Sequence, residues 1–359
     1  MLPKGGEVVV NGTQTAYEAA RYRIMSTNSS SPAPRPDLEG WTYFARRAEE
    51  AGIDSLLISF SRYEPEPLLV SCALGLATEK LKFIAAYRSG LSQPTTFVQQ
   101  VNTVAALIGG RVSLNIVAGS SKEEQQGYGD FLAHDERYAR AEEFLAVCHS
   151  FWSGEEVNFE GKYYRVEQGK LATPFLAPDR KTPEIYVSGH SDQSERLAYA
   201  QGSCWLRVID TPEKLEPLVV RARSRGLAVC LRLAIMCRPT REEAFRTLQS
   251  LLPEDRNEST TKLKDDSQMY SEKIYGDNFW LNQSLWTGFV PHYGPVWTTL
   301  LGSPEELARA FIEYKEIGVS EFIISGWPEL DEMTLFGREV LPLVREAERQ
   351  QTRVAAFSR

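Results

Sequence analysis

Arg232 lies in the middle of Cys230-Leu-Arg-Leu-Ala-Ile-Met-Cys237, where all the other residues are apolar. A buried guanidinium keeps its charge, so it requires a carboxylate on a neighbouring strand or an anionic group bound beside it. Asn115 interrupts another apolar run, Val112 to Val117, and must find hydrogen-bond partners in a ligand or in a core polar pair. Ser188-Gly189-His190-Ser191-Asp192 follows a short apolar run and opens a helical pattern. The free N–H groups of a helix start, helped by the Ser191 hydroxyl, can bind a phosphate dianion, or Ser191 can simply cap its helix; the geometry is the same. Glu64, after Arg62 and Tyr63, can pair with Arg62, recognise an amine or exchange a proton. Trp327 and Trp205 suit either a large apolar pocket or an ordinary core. Tyr138 is open between a ligand contact and a packed aromatic. His149 falls on a helix, and His134 reads as part of a loop hydrogen-bond network before Tyr138.

These residues need elements to hold them. Apolar periodicity predicts eight strands: Tyr22–Ser26, Ser55–Ser59, Lys82–Ala86, Val112–Val117, Ile185–Val187, Ser203–Val208, Val229–Cys237 and Glu321–Ser325. Helices are predicted at Leu38–Ala51, Pro65–Ala77, Pro94–Ile108, Arg137–Trp152, Ser191–Gln201, Pro212–Arg225, Thr240–Leu251, Pro304–Ile317 and Met333–Arg349. Short strands alternating with helices force parallel pairing with right-handed crossovers, and eight such units close an α/β (β/α)8 TIM barrel. An open doubly wound sheet is disfavoured, because the first strand lacks a glycine-rich phosphate turn. Residues 1–359 then form one barrel domain, with a hairpin inserted at about 154–183 around a Glu-Gly turn. A second insertion at about 253–300 begins charged and ends in Phe279-Trp280, Trp286, Phe289, His292-Tyr293 and Trp297. It reads as a lid over a ligand, with a docking surface for another subunit as the near-even alternative.

The net charge of −8 comes from interleaved acidic and basic residues, which predicts no nucleic-acid partner. No segment approaches the roughly 20 apolar residues of a membrane span, and the N-terminus lacks a signal-peptide pattern. Five cysteines without metal-like spacing read as buried reduced thiols, and a cytoplasmic protein is expected.

Several segments, in order, carry a resemblance: Leu81-Lys-Phe-Ile-Ala-Ala-Tyr-Arg-Ser-Gly-Leu91, Gly110-Arg-Val-Ser-Leu-Asn-Ile-Val-Ala-Gly119 with Ser120, His134-Asp-Glu-Arg-Tyr138, Gly154-Glu-Glu-Val-Asn-Phe-Glu-Gly-Lys162, Ser188-Gly-His-Ser-Asp192 and Phe322-Ile-Ile-Ser-Gly326. From about Arg35 to Leu343 the chain resembles the bacterial luciferase-like monooxygenases, especially their alkanesulfonate monooxygenase branch. The resemblance implies a two-component oxygenase that takes reduced FMN (FMNH2) from a separate NAD(P)H:flavin reductase. The reduced flavin would react with dioxygen to form a peroxyflavin, which oxygenates a small organic substrate. It places the FMN phosphate on Ser188, Gly189, His190, Ser191 and Tyr138, and the flavin ring or ribityl chain near Asn115 and Ser120. Arg232 would stabilise the peroxide anion or bind an anionic substrate, in a homodimer or homotetramer.

Four expected residues of that branch are replaced here: its histidine by Ala234, its cysteine by Glu64, its tyrosine by Trp327 and its lid arginine by about Tyr293. Loss of a cation and gain of a carboxylate argue against a sulfonate substrate, while Glu64 and Trp327 join Arg232 as candidate catalytic residues. The alternatives are hydride transfer with the deazaflavin F420 on the same barrel, or a catalytically idle flavin-binding barrel.

Overall fold

The computed structural model describes residues 38–62, 64–119, 122–252 and 277–357. The expected first strand at Tyr22–Ser26, the charged run Glu254–Asp266, Tyr63 and Ser120 lie outside the described residues.

The helices are α1 (Leu38–Glu50), α2 (Pro67–Leu76), α3 (Pro94–Leu107), α4 (Lys122–Gly127), α5 (His134–Trp152), α6 (Asp192–Gln201), α7 (Pro212–Ser224), α8 (Arg241–Ser250), α9 (Val290–Tyr293), α10 (Pro304–Glu316), α11 (Glu329–Leu335) and α12 (Leu341–Phe357). The strands are β1 (Ser55–Ile58), β2 (Lys82–Tyr87), β3 (Val112–Ile116), β4 (Val157–Glu160), β5 (Arg165–Gly169), β6 (Ile185–Ser188), β7 (Cys204–Val208), β8 (Ala228–Cys237), β9 (Leu285–Trp286), β10 (Thr299–Gly302) and β11 (Glu321–Gly326).

β1, β2, β3, β6, β7, β8 and β11 pair in parallel, each with its predecessor in that order. These are seven of the eight strands the sequence predicts, and the helices between them supply the crossovers. β4 and β5 form the separate antiparallel hairpin.

Alternation along each strand sorts the core into two layers. Leu56, Phe83, Leu114, Val187, Trp205, Val229 and Leu231 pack towards the helices. Leu57, Ile84, Tyr186, Cys204, Leu206, Cys230 and Ile323 form a smaller cluster on the inner face of the sheet. Helix α1 turns Trp41, Phe44, Ala45 and Ala48 inward, and α10 is fixed at its start by a Ser303–Glu306 capping box behind Pro304.

The structure corrects several expectations. His134 is not in a loop: it begins α5, its Nδ1 2.9 Å from Asp135. Helix α4 and strand β10, which pairs in parallel with the outer half of β8, were not expected. The predicted helix Met333–Arg349 is interrupted by a π turn at Phe336–Val340. Pro342, just beyond, lacks an N–H and crowds the preceding turn, which the widened turn accommodates.

The aromatic half of the second insertion is packed onto its own chain. Trp286, Phe289 and Trp327 join Ala234, Met236 and Leu248 in a separate buried cluster, with Trp280, Phe245 and Trp297 against it. Cys148, Cys204, Cys230 and Cys237 are buried, Cys72 is partly exposed, and all five are free thiols. Among the described residues no helix is long and apolar enough to cross a membrane, and no cluster of His, Cys, Asp and Glu could hold a metal.

Candidate functional site

The C-terminal ends of the strands bring two constellations together. The first is a cradle at the start of α6. Ser191 caps this helix, its Oγ accepting from Ser194 N at 3.2 Å, while Ser194 Oγ donates to the Ser191 carbonyl at 2.7 Å. Tyr138 reaches across from α5 and sets its Oη beside the hydroxyls of Ser191 and Ser194; burial pushes its phenol pKa up, and the two hydroxyls oppose the shift.

Between them lies Gly189, with φ +144°. A β-carbon there would fall 2.6 Å from Ser194 Cβ and 2.9 Å from Tyr138 Oη, so only glycine leaves this space open. The Gly189 carbonyl is held by Trp205 Nε1 at 3.0 Å, and its N–H by the Leu206 carbonyl at 3.2 Å. Three hydroxyls, a helix N-terminus and an open glycine form a donor set that fits a phosphate monoester.

His190 does something else. Its Nε2 accepts the Val208 N–H at 3.3 Å, and burial together with the Arg207 charge pushes its pKa down to about 3. A neutral imidazole brings no positive charge to the cradle.

Asn115 and Ser188 join this end to the inner face of the sheet. Ser188 Oγ donates to Asn115 Oδ1 at 2.7 Å. Asn115 is thus in a polar pair through its carbonyl, and its amide nitrogen remains as a donor.

The second constellation lies over β1, β2 and β8. Arg232 shares the inner face with Cys230 and Ala234, the same face as Asn115, so the two side chains converge on one lumen. Burial lowers the Arg232 pKa and the charge of Glu64 opposes that shift, which puts carboxylate and guanidinium within electrostatic reach. Glu64 also accepts from Ser59 Oγ at 2.9 Å.

Nearby, Arg88 pairs with Glu124 at 2.5 Å and Arg62 with Glu123 at 3.1 Å, while Glu124 Oε1 also accepts the Arg62 N–H at 2.8 Å. Trp327 lies apart from these groups. It is 1% exposed, stacked on Trp297 with ring centres 3.9 Å apart and edge-on to Phe289. Both tryptophans border the gap between β1 and β11, which does not touch the cradle; the strand expected at Tyr22–Ser26 lies outside the described residues.

Sequence reasoning missed Ser194, Arg137 and Gln125. Ser194 had a signal, because Ser191-Asp-Gln-Ser194 puts a second hydroxyl at the third helical position. Arg137 fastens the two constellations together: it donates to the carbonyls of Ala118 at 3.0 Å, Gly119 at 3.2 Å and Leu132 at 2.9 Å, tying the exit of β3 to the helix of Tyr138.

Residues 21–321 match the luciferase-like monooxygenase family. Among solved structures, a riboflavin lyase (RcaE) with modified FMN and its substrate riboflavin is similar over 87% of this chain and 85% of its own, at 20% identity and TM-score 0.73. The EDTA monooxygenase EmoA from Chelativorans sp. BNC1 is similar over 87% of both chains, at 23% identity and TM-score 0.71. The long-chain alkane monooxygenase LadA is similar over 87% of this chain and 85% of its own, at 20% identity and TM-score 0.69. At such identities the likeness carries the fold, the luciferase-like TIM barrel.

Proposed function

The chain belongs to the luciferase-like monooxygenase family, and from that premise we propose that it uses reduced FMN and dioxygen to oxygenate a small uncharged organic substrate, with a separate NAD(P)H:flavin reductase supplying the reduced cofactor. The observation that carries this reading is the cradle of Tyr138, Gly189, Ser191 and Ser194, whose donors and glycine gap suit the FMN phosphate. Bound reduced FMN supplies the electrons that activate dioxygen.

The chain's own residues do the rest. Tyr138, Ser191 and Ser194 hold the phosphate, and the Asn115 amide nitrogen donates to the ring edge or ribityl chain, its carbonyl fixed by Ser188. Arg232 offers its charge where negative charge develops, and Glu64, within electrostatic reach, keeps the guanidinium charged.

The uncharged substrate follows from the local balance of charge. Arg88 pairs with Glu124 and Arg62 with Glu123, and Glu64 lies within electrostatic reach of Arg232, so these three cations are offset locally and select weakly for an anion. A sulfonate would meet Glu64 beside Arg232, and repulsion there disfavours it. The names of the three similar proteins span riboflavin, EDTA and long-chain alkanes, so they do not define a substrate here.

A homodimer accompanies this reading. Helices α2 and α3 carry no charged residue, and Leu69, Leu76 and Leu107 are 71%, 65% and 54% exposed. An uncharged apolar face of this kind fits a second copy of itself. Leu69→Glu with Leu76→Glu is expected to sediment as a monomer.

The test combines two measurements. Reduced FMN is titrated into the protein without oxygen, and sulfonates, amines, ketones and lactams are then assayed with a flavin reductase under 18O2. Tight FMN binding and label in a neutral product support the reading. Preference for F420, or hydrogen peroxide alone across the whole panel, refutes it.

A further inference from the structure

Gln125 is 2% exposed, and neither its Oε1 nor its Nε2 has a hydrogen-bond partner. A primary amide removed from water and left unmatched is costly to keep, so its surroundings call for an explanation. A β-carbon on Gly119, where φ is +80°, would lie 2.9 Å from Gln125 Nε2 and 3.3 Å from Arg88 Nε. The two side chains thus meet at the turn leaving β3, just beyond Asn115.

Arg88 is also incompletely matched. Its Nη2 is taken by Glu124 at 2.5 Å, but Nε and Nη1 are buried without acceptors. The guanidinium is framed by Phe60, 5.0 Å from the ring centre, and Tyr128, 5.7 Å away. Together the pair offers three nitrogen donors and one carbonyl acceptor, and Glu124 already balances the Arg88 charge. An anion is therefore not what they suit. An uncharged group carrying C=O and N–H side by side matches them in kind.

We propose that Gln125 and Arg88 form a specificity notch for the amide or imide edge of the organic substrate, a lactam or cyclic imide by class. This rests on the oxygenase reading only in identifying the bound molecule as the substrate. The notch is closed to water in this conformation, so entry requires rotation of the Gln125 amide or displacement of the Gly119 turn. The stored mismatch favours that step, because a ligand that satisfies the amide relieves a cost the ligand-free protein carries. A site built from buried hydrogen-bonding groups rejects analogues that lack the matching group far more strongly than an apolar pocket does.

Glutarimide, δ-valerolactam and cyclohexanone share one ring size and differ in their N–H and C=O groups. Calorimetric titration into the wild-type protein, with and without FMN, is expected to give binding about tenfold or more tighter for the imide and lactam than for the ketone. Gln125→Leu, and Gln125→Met as a second variant, should abolish that preference, leave FMN affinity unchanged and raise Tm by about 2–4 °C, because an unmatched amide is removed.

Equal binding of the three rings by the wild type overturns the proposal, as does a preference that survives in both variants. A lowered Tm in both shows the amide satisfied by the fold itself and overturns it too. A fall in FMN affinity assigns the notch to the flavin instead. Ring discrimination in a protein that does not bind FMN upholds the notch and refutes the cofactor reading, so the two failures are distinct.

Discussion

The two ends of the site differ in how their hydrogen bonding is settled. At the cradle, Ser191 and Ser194 bond to each other beside Tyr138, Gly189 is held through both its N–H and C=O, and His190 is engaged with Val208. At the other end, Gln125 and two nitrogens of Arg88 are buried without partners. A prearranged end suits one invariant ligand group, because no reorganisation opposes binding. An end with unmet polar atoms favours whichever ligand completes it, which is a basis for selection among substrates.

The largest test of this contrast acts on the rigid end. Gly189→Val puts branched carbon where Ser194 and Tyr138 already approach, on backbone that strains any side chain. FMN affinity should fall by about a hundredfold or more in a fluorescence titration. Unaltered affinity would move the phosphate elsewhere and remove the contrast.

Arg232→Ala probes the opposite end. Product formation is expected to fall by about 10²–10³-fold, with the FMN dissociation constant within about twofold of the wild type. If FMN affinity is lost instead, Arg232 belongs to the cofactor end.

The smallest effect concerns His190. Its folded pKa of about 3 lies below its ordinary value of 6.5, so between those values the unfolded chain binds a proton that the folded protein refuses. Its contribution is intact above pH 6.5 and is lost as pH falls towards 3, by at most about 1.4 kcal/mol per pH unit. Urea unfolding at pH 7 and pH 5 should show the wild type losing about 1–2 kcal/mol more than His190→Gln. Equal losses would show that the imidazole protonates without disturbing the cradle's support.

The same division governs what could be read from the sequence. Gly189 and Ser191 are neighbours in the chain, and a serine opening a helix after an apolar strand is a local signal that survives folding. Alternation within a strand is local too, but only the register of the folded sheet brings Asn115 and Arg232 to one face.

The substrate end is assembled from afar. Arg88 and Glu124 are 36 residues apart, Arg62 and Glu123 61, and neither pairing has a local signature. Helix α4 is a six-residue polar segment and β10 a four-residue strand, both too short for periodicity to register. The aromatic residues at 279–297 suit a lid first and a subunit contact almost as well. In the fold, Trp286 and Phe289 are consumed by β8 and β10.

The stack of Trp297 on Trp327, with ring planes 23° apart, has an optical consequence. Indoles this close share their excitations, so the far-ultraviolet circular dichroism of the folded chain carries a paired signal from the strong indole band that solitary tryptophans do not produce. The stacked pair thereby reports its own assembly, with no dye or isotope attached.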